Sequence, residues 1–191
     1  QLSRINFSVL ILHLMITLLF VQMPTLLGAL NWDLENHWKL YLPVLLCSIL
    51  GLAALMLLAK KTSQSSVLKI SVFLMMIVFL GMYFEHNSIL ALILLSWLFF
   101  TAFNYLEANF PALVSAIAPA GKKGSAMGIY ASFQFFGAFL GGLISGGTSQ
   151  YLGSQWVFLI AAIICLFWLM IIRGLHGTGN HKRYTLSANL H

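Results

Sequence analysis

ILALILLSWLFFTAFNYLEANFPALVSAIAPAGKKGSAMGIYASFQFFGAFLGGLISGG, residues 89–147, is the stretch whose reading decides the fold. From Ile89 to Ala118 it runs for some thirty residues with a single charge, Glu107, and then turns at Pro119-Ala-Gly-Lys-Lys before a second long run opens at Gly124. About 20 mostly apolar residues are enough for a helix to cross the hydrocarbon of a bilayer. The segment therefore reads as two spanning helices joined by a short basic loop.

Working outward, four more runs of the same kind appear: Ile5 to Leu30, Trp38 to Ala59, Val67 to Phe84 and Trp156 to Leu175, with Gly124 to Leu152 completing the second half of the quoted stretch. The boundaries are polar or charged: Asn31-Trp32-Asp33-Leu34-Glu35-Asn36, Lys60-Lys61, and Glu85-His86-Asn87. Six spanning helices are expected over residues 1–175, followed by a polar, disordered tail over 176–191 and no second domain. The composition agrees, because 60% of the 191 residues are apolar and only 7% are charged. A soluble domain carries about 25% charge. The fold class is an all-α membrane protein.

The net charge of +6 is a topology signal and not a nucleic-acid footprint, since the basic residues lie in small groups between apolar runs and form no continuous patch. With a cytoplasmic N-terminus, Arg4, Lys60, Lys61, Lys69, Lys122, Lys123, Arg173, Lys182 and Arg183 all fall inside, and Lys39 alone falls outside. Basic loops mark the cytoplasmic face, so both termini are expected there. Trp32, Trp38 and Trp156 mark the opposite interface. Gln1 is not an initiator methionine, and the first apolar run is too long for a signal-peptide core, so the sequence is expected to lie within a longer reading frame. Cys47 and Cys165 both sit in apolar runs, which points to packing and not to a disulfide or a metal knuckle. No cofactor is expected.

Polar content sorts the helices. Helix one carries His13, Thr17 and Gln22, and helix four carries Asn104, Glu107 and Asn109, residues that are costly in hydrocarbon unless they line a cavity or meet partners. Helices three and six are almost wholly apolar and suit lipid. Helix five places Gly124 and Gly128, Gly137 and Gly141, and Gly142 and Gly146 four apart, the spacing that lets backbones approach closely. The sequence of interior, packing and lipid helices occurs twice, and Met23-Pro24-Thr25-Leu26 is echoed by Phe110-Pro111-Ala112-Leu113. Two triplets of odd span number are expected to be inverted with respect to each other, a pattern that resembles the 3+3 inverted repeat of one half of a major facilitator transporter.

The resemblance then becomes specific. Asn104-Tyr-Leu-Glu107 through Pro111, Ser115, Pro119, Gly121, Gly124, Gly128, Tyr130, Gln134 and Gly137 to Gly141-Gly142 resembles helices ten and eleven of bacterial major facilitator drug-efflux proteins of the YajR type. Leu12-His13 with Thr17, Phe20 and Pro24 resembles their helix seven. The likeness covers Ile5 to about Leu175, the C-terminal half of that fold. It implies proton-driven efflux of small, often hydrophobic or drug-like molecules from a bacterial inner membrane by alternating access. It also implies a missing partner, the N-terminal six-helix half, supplied in cis or in trans, which in the family sets an acidic residue against the start of helix five. Lys60-Lys61-Thr-Ser-Gln-Ser-Ser keeps only the positive charge of the equivalent loop.

Glu107 is the first candidate for coupling. At 1.5 Å per residue it lies roughly 18 Å from the helix end at Pro119, and His13 lies roughly 12 Å from Ile5, so the two share a depth. A His–Glu pair across a cavity would pass a proton, because imidazole titrates near neutrality. Asn104, Glu107 and Pro111 fall on one stripe, Thr17 stands one turn from His13, and Gln22 and Gln134 are candidate substrate contacts. The architectural alternative makes these side chains ties between helices, as in a six-helix scaffold that only binds partners. An intramembrane serine protease is excluded: Gly142-Leu-Ile-Ser145-Gly146 has the wrong spacing and helix six has no histidine.

Overall fold

The structure is a computed structural model that describes residues 1–85 and 87–175; the expected tail over 176–191 lies outside the described residues. Six long helices follow one another: α1 (Leu2–Ala29), α2 (Trp38–Lys61), α3 (Gln64–Phe84), α4 (Ile89–Ile117), α5 (Lys123–Tyr151) and α6 (Ser154–Ile172). A short 3₁₀ turn, Leu34–Asn36, joins the first two. All six are long and apolar enough to cross a membrane, and there is no strand among the described residues.

Local chemistry explains the ends. Ser63 and Ser88 cap α3 and α4, their hydroxyls accepting from the amides of Ser66 at 3.1 Å and Ala91 at 3.4 Å. Lys60 and Lys61 close α2, where positive charge suits the carbonyl end of a helix. Gly121 and Gly153 take φ of 77° and 99° at the turns entering α5 and α6, a region that side-chain-bearing residues avoid. Pro24 and Pro111 are absorbed within α1 and α4 without ending them.

α1 is the most buried helix and packs chiefly on α5, with α6 and α4 beside it. α2 packs on α4, and α3 packs on α6 and α4. The lipid-type helices α3 and α6 pack against each other and leave Phe73, Ile77, Ile163, Phe167 and Met170 outward, while Phe79 of α3 sets its ring on Phe99 of α4 and Cys165 of α6 turns its sulfur to Met15 of α1. α2 and α5 flank the bundle and are the least covered.

The glycines of α5 divide by face. A Cβ at Gly137 would overlap the carbonyl group of Leu10, and one at Gly141 would fall 2.6 Å from the Leu14 carbonyl oxygen and 2.9 Å from Thr17 Cβ, so these two let α5 lie directly on the α1 backbone. Gly124, Gly128, Gly142 and Gly146 have no atom within 4 Å of that position and face away from the other helices. The α2–α4 seam uses one glycine the same way: a side chain at Gly51 would collide with Thr101.

Candidate functional site

The α1–α5 contact fixes the register that assembles the polar cluster. Gly137 against Leu10 and Gly141 against Leu14 set α5 along α1 so that Gln134, nearly a turn before Gly137, comes level with His13. His13 Nδ1 lies 3.2 Å from the Val9 carbonyl, one turn back on its own helix. A proton on Nδ1 leaves Nε2 as the acceptor, and the Gln134 amide Nε2 donates to it at 2.7 Å. The same amide donates to Glu107 Oε1 at 3.4 Å. Glu107 Oε2 is 3.9 Å from His13 Nε2, shielded from solvent, and takes no hydrogen bond. Three helices thus converge on one point: α1 through His13, α4 through Glu107 and α5 through Gln134.

The cluster is not sealed. His13 keeps 15% and Glu107 33% of its side chain accessible, whereas the core around it is closed by Leu12, Met15, Phe99 and Leu106. Phe103 sets its edge against the His13 ring, with centroids 6.1 Å apart. Proton donors and acceptors are in reach of one another, and about a third of the Glu107 side chain stays accessible although its Oε2 is shielded.

The other candidates lie apart from this point. Thr17 donates its hydroxyl to the His13 carbonyl at 2.9 Å, one turn back on its own helix, and packs by its Cβ toward Gly141. Gln22 is buried deeper in the α1–α5 seam and donates to Ser145 Oγ at 2.7 Å. Asn104 leans the other way from Glu107 and donates to Ser48 Oγ of α2 at 2.9 Å. Asn109 receives Gln64 at 2.8 Å and donates to the Tyr105 carbonyl at 2.7 Å. Tyr105 and Tyr130 are almost fully buried and their hydroxyls have no hydrogen-bond partner, but Tyr130, one turn before Gln134 on α5, lies within electrostatic reach of Glu107.

Sequence reading missed Ser145 and Ser48 as the receivers of Gln22 and Asn104, and the close fit of Gly51 on Thr101. Single small residues within apolar runs carry no periodic signal, and only the pairing of helices reveals them. Ser145→Ala is expected to cost about 1 kcal/mol in thermal unfolding, the ordinary worth of one hydrogen bond between membrane helices. A larger loss would show that Gln22 and Ser145 hold the seam as part of a wider network.

The Major Facilitator Superfamily family profile matches residues 5–186 of this sequence. The chain belongs to that superfamily. It is 31% identical over 172 residues to the inner membrane transport protein YajR of Escherichia coli (strain K12), a match covering 90% of this chain and 38% of that protein. An uncharacterized transporter of Buchnera aphidicola subsp. Baizongia pistaciae is 31% identical over 173 residues, covering 88% of this chain and 44% of its own. A second uncharacterized transporter, from Buchnera aphidicola subsp. Acyrthosiphon pisum, is 30% identical over 142 residues, covering 72% and 36%. The chain spans about two-fifths of the length of these curated relatives. It is a multi-pass membrane protein of a transporter family, not an enzyme.

Proposed function

We propose that the chain is the C-terminal half of a secondary active transporter of a bacterial inner membrane, with both termini cytoplasmic, that exports small, often hydrophobic molecules in exchange for protons. The observation that carries this reading is the meeting of His13, Gln134 and Glu107, from three separate helices, at mid-depth and partly open. Titratable groups inside a membrane are retained where they bind ions or substrate. In the tautomer that donates Nδ1–H to the Val9 carbonyl, His13 Nε2 is the acceptor of the Gln134 amide. Protonation at that nitrogen turns it into a donor facing Glu107 Oε2 and obliges the Gln134 amide to rotate its oxygen inward. One proton thus reverses the polarity of a contact linking α1 to α5 and α4, a local event that favours one disposition of the helices over another.

The inverted repeat has support in the packing. The α1–α5 seam corresponds to the α4–α2 seam: each holds a glycine-close approach and an amide-to-serine hydrogen bond, Gln22 to Ser145 in one and Asn104 to Ser48 in the other. Leu14, which faces Gly141, precedes Pro24 by ten residues, as Thr101, which faces Gly51, precedes Pro111. The half-transporter reading draws on α5. Its outward stripe of Gly128, Ser132, Phe135, Phe139, Gly142 and Gly146 mixes small, polar and aromatic residues, the composition of a helix–helix contact more than of a lipid face.

The chain reconstituted alone is expected to give no saturable, proton-dependent movement of a drug-like dye in liposomes, and co-reconstitution with a matching N-terminal half is expected to restore it. Activity of the chain alone as a monomer would overturn the half-transporter reading. Failure of the pair, with a stable complex demonstrated, would favour a six-helix scaffold.

A further inference from the structure

The four carboxylates of the sequence are Asp33, Glu35, Glu85 and Glu107: three lie at one end of the bundle and one in the middle of α4. The opposite end gathers Arg4, Lys60, Lys61, Lys69, Lys122, Lys123 and Arg173 with no acidic side chain to meet them. Two of these cations, from helices adjacent in space but distant in sequence, line one cavity. Lys69 of α3 and Arg173 at the close of α6 share a groove of about 280 Å³ with Ile70, Phe73 and Leu169.

This groove lies on the outer side of the α3–α6 pair, where Ile70 and Phe73 are exposed. Its walls are tied together, since Ser65 Oγ of α3 donates to the Leu175 carbonyl just past α6 at 2.6 Å. The missing side chain of Gly174 also lets the Arg4 guanidinium lie against the turn that follows α6. Lys69 stands five residues inside α3, roughly 8 Å from its start. A half-buried lysine at that depth directs its ammonium back toward the headgroup level while its stem covers apolar surface.

We propose that this groove binds the headgroup phosphate of an anionic phospholipid, held by Lys69 and Arg173, with an acyl chain lying along Ile70, Phe73 and Leu169. Basic pockets between spanning helices select anionic headgroups, and the Arg fork pairs with phosphate oxygens. A zwitterionic lipid brings its own cation into a site that already holds two. A free anion leaves the apolar floor unused. The inference needs only that the chain spans a bilayer and is independent of what the His13–Glu107 cluster transports.

The test is native mass spectrometry of the 191-residue chain in detergent, titrated with dioleoylphosphatidylglycerol or dioleoylphosphatidylcholine, with excess inorganic phosphate as a competitor. The phosphatidylglycerol is expected to be retained in preference. The Lys69→Gln/Arg173→Gln double variant is expected to weaken that binding about tenfold or more, the scale of two basic residues at an anionic surface. Lys60→Gln/Lys61→Gln, which removes the same charge from the same end, should change it little, and Lys69→Arg/Arg173→Lys should retain most of it. Equal losses in the two glutamine doubles would overturn the site in favour of diffuse surface charge. Competition by inorganic phosphate as effective as by the lipid would overturn it in favour of a soluble anion. Loss of binding in the charge-preserving double as complete as in the glutamine double would overturn it as well.

Discussion

Glu107→Gln, in a complete transporter that includes this chain, is expected to lower efflux driven by a pH gradient at least tenfold while leaving expression, thermal stability and substrate binding close to unchanged. Glutamine keeps the volume of the side chain, and its carbonyl oxygen still accepts from the Gln134 amide that now reaches Oε1 at 3.4 Å. The substitution therefore removes the exchangeable proton and little else, and the packing cost stays within about 1 kcal/mol. What is lost is the coupling between protonation and the side to which the cavity opens, because an ionised carboxylate at mid-depth is costly unless paired and a neutral amide is indifferent to pH. The measurement is dye efflux from vesicles with and without an imposed pH gradient. Loss of folding in Glu107→Gln would assign the residue to architecture, and unchanged, still pH-dependent efflux would move coupling elsewhere. His13→Phe is the companion experiment, since it removes the acceptor at 2.7 Å from Gln134 while retaining the ring contact with Phe103.

The helices were legible in the sequence because their signal, long apolar runs interrupted by charge, is one-dimensional. α2 and α4 start where the runs start, and the other ends fall within three residues of the boundaries read from composition. The facing of His13 and Glu107 was also legible, since it required only that the two lie at equal depth on helices pointing inward. Gln134 as the bridge between them was not. Its position depends on the longitudinal register of α5 against α1, which is fixed by contacts of Gly137 and Gly141 with backbone atoms of another helix. Periodicity identified all six glycines by spacing and had no means to separate the two that touch α1 from the four that face outward. The stripe of Asn104 and Glu107 illustrates the same limit. α4 sits between α2 and α5, so two residues three apart on one helix face reach different neighbours, Ser48 and Gln134. Thr17 satisfies its hydroxyl on its own backbone, as Ser and Thr in helices often do, and is thereby withdrawn from the cluster its spacing suggested.

The division among the glycines leads to the second large effect. Gly137→Leu is expected to destabilise the bundle by about 3 kcal/mol or more, the upper range for overpacking a filled interior. The obstacle is the Leu10 carbonyl, a backbone atom in the middle of α1 that has no rotamer to adopt, so the helices themselves must separate. Separation lengthens the Gln22–Ser145 hydrogen bond of 2.7 Å and withdraws Gln134 from His13, so fold and cluster fail together. Gly141→Leu meets the Leu14 carbonyl at 2.6 Å and should behave alike. Gly142→Leu, with open space at the same position on the next residue, should leave thermal unfolding in detergent unchanged and instead weaken capture of a matching N-terminal half. Leu143→Ala, which trims an exposed side chain on that outer face, should be mild in both assays. If Gly142→Leu unfolds the chain as readily as Gly137→Leu, the outward face is not free. If it folds normally and binds the N-terminal half as tightly as the unaltered chain, α5 does not form the junction between halves, and the similarly uncovered α2 becomes the surface to test.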